Sequence, residues 1–146
     1  MLRIGWKRAK PGVITLADRA RDARQWHCAA AYYQKALRRS PRNPPIWVQY
    51  GHVLKEAGYL AGAERAYRMA IAYDPHSSDS HLQLGAILRL QGKAEQAEAA
   101  HLRALALASS PNGLSLELSQ LGWSRARISE LQEMVRVIGL TQREPD

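Results

Sequence analysis

The stretch Trp47-Val-Gln-Tyr50-Gly51-His-Val-Leu54 returns one period later as His81-Leu-Gln-Leu84-Gly85-Ala-Ile-Leu88, an offset of 34 residues. The same offset superimposes Ala29, Ala63 and Ala97, then Tyr33, Tyr67 and His101, then Ala36, Ala70 and Ala104. It also pairs Pro41 with Pro75 and Gly58 with Gly92. A fixed period of this size is the mark of a stacked array of small units.

Each unit reads as a helical hairpin. Trp47, Tyr50 and Leu54 fall at i, i+3 and i+7 on one helical face, and Gly51 leaves room for a neighbouring backbone. In the second helix Ala63, Tyr67 and Ala70 repeat the spacing, small residues flanking a ring that fills the gap between helices. Gly58 and Gly92 stand where the first helix stops and reverses, a position that favours a residue tolerant of positive φ. Ser40-Pro41 and Asp74-Pro75 end the second helix, because the residue before a proline is pushed out of the helical region.

These columns resemble tetratricopeptide repeats (TPR), and the resemblance implies an all-α chain, an α-solenoid of about three helix-turn-helix repeats with C-terminal capping helices. The copies are 10–43, 44–77 and 78–111, after a basic arm at 1–9. The first departs from the pattern: Arg24-Gln25 replaces the turn glycine, and Ile14-Thr15-Leu16-Ala17 replaces the Tyr-Gly step. Residues 112–140 read as the cap. Leu114, Leu118 and Leu121 suggest a short helix closed by Gly122, and Ser124 N-caps a last helix with Ile128, Leu131, Val135 and Ile138 on one stripe. Residues 141–146 read as a tail.

Composition agrees with this class and excludes others. At 146 residues, 46% hydrophobic and 23% charged, the chain has the balance of a soluble globule. No apolar run approaches the roughly 18 residues of a membrane span. Cys28 is the only cysteine, so no internal disulfide forms, and a reducing, cytoplasmic setting is expected. The charge is unevenly placed: residues 1–42 hold eleven Lys or Arg against two Asp, whereas 43–146 hold ten against eleven acidic groups, an asymmetry that suggests an anionic neighbour for the basic front end.

No catalytic constellation is present. There is no phosphate-cradling glycine loop and no H-E-x-x-H, and His27 beside Cys28 points about 100° away on a helix. Asp74, His76, Asp79 and His81 are metal-compatible types, but they belong to the repeat turn and the Trp47 column, so no metal and no cofactor is expected. The expected function is a non-catalytic scaffold rather than an enzyme.

The resemblance implies that the first helix of each hairpin lines a concave groove that takes a protein or peptide partner. On this chain the groove candidates are Asp18, Arg21 and Asp22, then Val48, Gln49, His52, Lys55 and Glu56, then Leu82, Gln83, Ala86, Arg89 and Leu90. The slots that grip a peptide carboxylate in one subset of the family hold Ile14, Asp18, Gln49, Asp79 and Gln83 here, so that clamp is missing; Lys55 and Arg89 leave room for another acidic ligand. The alternative partner is nucleic acid or an anionic surface, met by the arm residues Arg3, Trp6, Lys7, Arg8 and Lys10. The segments around Trp26, Pro45–Glu56 and Asp79–Gly85 are also similar to repeats that precede glycosyltransferase domains in bacterial polysaccharide-synthesis proteins, which implies a docking role in such an assembly. Two open stack ends make a homo-oligomer a further expectation.

Overall fold

The computed structural model describes residues 10–109 and 113–141. Among these the chain forms eight helices and no strand. The helices are α1 (Val13–Asp22), α2 (Trp26–Arg39), α3 (Pro44–Glu56), α4 (Leu60–Tyr73), α5 (Ser78–Leu90), α6 (Ala94–Leu107), α7 (Ser115–Gln120) and α8 (Arg125–Thr141). The arm residues Arg3, Trp6, Lys7 and Arg8 lie outside the described residues, as do 142–146; Thr141, assigned to the tail by sequence, belongs to α8.

The hairpin turns close by one repeated device. A backbone N–H three residues beyond each first helix reaches back five residues: Tyr59 N to Leu54 O at 2.8 Å and Lys93 N to Leu88 O at 2.9 Å. Gly58 and Gly92 carry the left-handed φ values, +87° and +76°, that this geometry needs. The first hairpin makes the same bond, Gln25 N to Ala20 O at 2.9 Å, with Arg24 forced to φ +57°. The same turn therefore forms despite the missing glycine, because the closing bonds from Ala23, Arg24 and Gln25 N–H, together with burial of Ala17 and Ala20, offset roughly 1–2 kcal/mol of Cβ strain.

The reverse turns end where the prolines dictate, α2 at Arg39 and α4 at Tyr73. A ring on the following helix then fastens each turn. Trp47 Nε1 donates to the Pro41 carbonyl at 2.7 Å, and His81 Nε2 lies 3.0 Å from the Pro75 carbonyl. Two chemically different rings in one column thus serve the same turn.

Packing runs from pair to pair: α1 with α2, α2 with α3, and onward to α6. Ala17, Ala20, Ala29, Tyr33 and Val53 anchor the first core cluster, Ala63, Tyr67, Ile87 and Leu88 the second. Gly51 corrects one expectation: a side chain there would meet the ring of Tyr67, its Cβ lying 2.6 Å from Cε1, so the space is held for a ring rather than for a backbone. Gly85 stands likewise beneath His101, and Ala17 occupies that column beneath Tyr33.

The C-terminal end breaks the pattern. α7 is only six residues long, and α6 packs against α8 directly, Ala104 and Leu105 meeting Ile128 and Leu131 in one cluster with Leu82 of α5 and Leu118 of α7. Ser124 caps α8, its Oγ accepting from Arg127 N at 3.1 Å. Of the expected stripe, Ile128 and Leu131 are buried and Val135 packs at the rim, whereas Ile138 is 45% exposed; α8 is longer than α6 and its last turns run past the cluster.

Candidate functional site

The groove candidates sit on α1, α3 and α5, and the 34-residue period sets them in columns: Asp18, His52 and Ala86 in one, Arg21, Lys55 and Arg89 in another. Beneath them lie the rings of Tyr33, Tyr67 and His101 from the second helices, all fully buried. What each ring can offer its neighbour differs along the row.

In the first hairpin the Tyr33 hydroxyl donates to Asp18 Oδ1 at 2.5 Å. Arg21 Nη1 lies within donor distance of Asp18 Oδ1 (3.2 Å), the Tyr33 oxygen (3.0 Å) and Gln49 Oε1 (2.9 Å), while Nη2 pairs with Asp22 at 3.0 Å. Burial, reinforced by the bond to Asp18, pushes the Tyr33 hydroxyl's pKa far up. Arg21 is therefore committed to its own hairpin and to α3, a buttress more than a free ligand-binding cation.

In the second hairpin the Tyr67 hydroxyl meets His52 Nδ1 at 2.9 Å, with the rings edge to face at 5.7 Å. Burial, helped by the Lys55 charge, holds His52 below its ordinary pKa, so the neutral ring is favoured. Lys55 makes no ion pair among the described residues. Gln49 is half-buried with its amide nitrogen left over, and Gln83 Nε2 donates to Asp79 at 3.3 Å. Val48 packs into the second core cluster, and Glu56 is exposed.

The third hairpin holds the corrections. Leu82, expected in the groove, is only 6% exposed and belongs to the core cluster that α5 shares with Ala104 and Leu105 of α6, Leu118 of α7 and Ile128 and Leu131 of α8. Ala86 is half-buried and Leu90 is 62% exposed. Arg89, expected to receive an acidic ligand, is engaged within the chain: Nη2 donates to the Gly122 carbonyl at 3.2 Å, and the guanidinium lies 5.2 Å from the Trp123 ring centre. Trp123 was not among the sequence candidates. It stands outside the repeat columns, and its only signal was a large ring directly after the turn glycine of α7.

Trp123 also meets His101 edge to face at 5.4 Å. Neither ring nitrogen of His101 has a hydrogen-bond partner among the described residues, and Trp123 Nε1 has none either. Burial pushes His101 down to about 4; the nearby Leu82 backbone offsets part of that without a bond of acceptable geometry, and the Arg89 charge adds to the depression.

Taken together, α3 and α5 present one uncommitted ammonium, two carboxamides and two carboxylates, Glu56 and Asp79, over a floor of buried rings. Such a set can pair with a side-chain carboxylate and hydrogen-bond a backbone; among the described residues no three His, Cys, Asp or Glu groups gather in a way that could hold a metal ion. No helix among those residues is long and apolar enough to cross a membrane.

Comparison with known proteins adds the following. Residues 13–137 match the family described as the cilia and flagella-associated protein 70 middle TPR-like domain. No curated protein sequence is significantly similar. Among solved structures, the first TPR of Spaghetti (RPAP3) bound to the HSP90 peptide SRMEEVD superimposes with a TM-score of 0.68 at 19% identity, covering 75% of this chain and 87% of that one. The Arabidopsis OM64 TPR domain gives 0.66 at 18%, covering 75% and 90%. The Yersinia enterocolitica type III secretion chaperone SycD, in complex with a peptide of the translocator YopD, gives 0.68 at 16%, covering 87% and 92%. These likenesses establish a TPR-type helical solenoid, and they give no support to the glycosyltransferase context expected from the sequence.

Proposed function

The chain belongs to the cilia and flagella-associated protein 70 middle TPR-like domain family, and on that premise we propose that it is a protein-interaction scaffold whose concave face, centred on α3 and α5, holds an extended segment of a partner protein. The observation that carries this reading is Lys55. In the column Arg21, Lys55, Arg89 the two ends are engaged inside the chain, Arg21 by Asp22 and Gln49 and Arg89 by the Gly122 carbonyl and the Trp123 ring, and the middle cation alone has neither an ion pair nor a side-chain hydrogen bond among the described residues. A carboxylate of the partner pairs with Lys55, while Gln49 and Gln83 bond to the partner's backbone.

Two of the similar solved structures hold bound peptides, which supports a peptide partner here. The scaffold reading involves no catalysis, no metal and no cofactor. Screening a peptide array and then titrating the binders against isotope-labelled protein tests it. Amide shifts centred on Gln49, His52, Lys55 and Gln83, and a loss of about tenfold or more in affinity for Lys55→Ala, are expected for a desolvated charge pair worth roughly 1.5–3 kcal/mol. Binders whose shifts map to the outer faces of α2, α4 and α6 would refute the groove.

A further inference from the structure

The second helix of the first hairpin carries a charge pattern that neither the fold nor the groove uses. α2 turns Ala29, Tyr33, Ala36 and Leu37 inward, so Lys35, Arg38 and Arg39 fall on its opposite, solvent face, and Arg42 follows in the turn. All four are exposed, and none makes an ion pair among the described residues. From 23 to 55 there is no Asp or Glu at all. The only two carboxylates of the hairpin, Asp18 and Asp22, are both held by Arg21 within 3.2 Å.

The bland explanation is a helix C-terminus complemented by cations. It covers Arg38 and Arg39 at the last turn, but neither Lys35, a turn earlier, nor Arg42, past the helix end. Solvent faces of helices ordinarily intersperse signs at i,i+4; here Lys35 faces Arg39 across one helical turn, a like-charge pair that weakens a helix, and Arg38 is followed by Arg42 just past its end. Other hairpins show the usual remedy, for instance Arg68 paired with Glu64 at 2.9 Å and Lys93 with the same Glu64 at 3.0 Å. The first hairpin keeps its repulsion unrelieved.

We propose that this ridge, Lys35, Arg38, Arg39 and Arg42, is a second docking surface, distinct from the groove, for an acidic run of Asp and Glu residues in a partner protein. Lys35 and Arg39 are separated by about 6 Å along the helix axis, and same-face side chains of an extended strand recur every 6.6–6.8 Å or so, so carboxylates on one side of an acidic strand meet successive cations of the ridge. Guanidiniums accept carboxylates in two-pronged pairs. The ridge is about 10 Å long, and among the described residues no large exposed aromatic ring belongs to α2 to stack a base, which disfavours single-stranded nucleic acid.

Fluorescence anisotropy of the full chain with a labelled octaglutamate peptide tests this, with octaglutamine and a short DNA duplex as the other arms. Octaglutamate is expected to bind, octaglutamine not, with affinity falling steeply between about 50 and 200 mM salt. Replacing the ridge together, as K35Q, R38Q, R39Q and R42Q, is expected to weaken octaglutamate about tenfold, from four pairs of roughly 0.3–0.5 kcal/mol. The lighter K35Q/R42Q pair, expected to weaken it about threefold by the same arithmetic, keeps the test open if the fourfold variant loses helicity. Equal binding of the two peptides, unchanged affinity in both ridge variants, loss through Lys55→Ala in place of the ridge, or tighter capture of the duplex would each overturn it.

Discussion

Tyr67 and His101 occupy the same column one period apart, each fully buried over a glycine, yet they live differently. The Tyr67 hydroxyl reaches across the groove floor to His52; the shorter imidazole reaches nothing, since its cross-groove neighbour is Ala86. The first arrangement is a closed polar pair, and the second leaves two buried nitrogens beside Trp123, itself unpaired at Nε1. The difference teaches that a repeat can preserve shape while losing chemistry. Each unpaired buried polar group costs about 1–3 kcal/mol, so the contact joining the third hairpin to the C-terminal segment is expected to loosen before the others.

The sharpest test of this contrast is truncation. Tyr67→Ala should lower stability by about 3–5 kcal/mol in urea melts, the range for deleting a buried ring, and a loss below about 1 kcal/mol would mean that the ring is not filling the joint. His101→Ala should cost less, because two unsatisfied nitrogens leave with the ring.

Acid should act most on the His101 end, because burial holds His52 below its ordinary value as well, but only His101 is pushed as far down as about 4. A native ring that protonates only near pH 4, against an ordinary value of about 6.5, means that the open form binds more protons between those limits. The stability contributed is complete above about pH 6.5 and falls as the pH drops towards 4, by at most roughly 3 kcal/mol. Amide exchange of α7 and α8 followed from pH 7 to pH 4.5 should show them loosening before α3 and α4; simultaneous loosening would place the weak joint elsewhere.

Subtler substitutions sharpen the same contrast. Tyr67→Phe should cost about 1 kcal/mol by stranding His52, whereas His101→Phe should be neutral or stabilising, since an apolar ring has no unmet bonds to lose. If both lose equally in parallel thermal melts, the pairing of Tyr67 with His52 has no energetic standing. Smallest of all, Lys55→Ala should leave stability within about 0.5 kcal/mol, as befits a cation without an internal ion pair.

Much of this architecture was legible before any coordinates. Pro41 and Pro75 stop helices because of their own ring geometry, and Gly58 and Gly92 reverse the chain because of theirs; such causes are local and repeat with the letters. Arg24 marks the edge of that logic, adopting the glycine's conformation because the hydrogen bonds around it require the turn. The candidate site was legible only as columns. Period arithmetic assigned Arg21, Lys55 and Arg89 to one row, but it could not tell that Gln49 and Tyr33 claim the first and that Trp123 claims the last. Leu82 was misplaced for the same reason: helical spacing gives the face a residue occupies, and the α7–α8 segment that covers that face carries no repeat signal.

The hairpin, its length, its turns and the row of rings follow from the residues alone, since each rests on steric preferences acting within a few residues and copied at a constant interval. Which groups remain available to a partner is fixed by packing. That depends on whether a donor finds its acceptor across a gap between helices, and such distances are set by packing, through the reach of a hydroxyl or the crossing of a distant tryptophan.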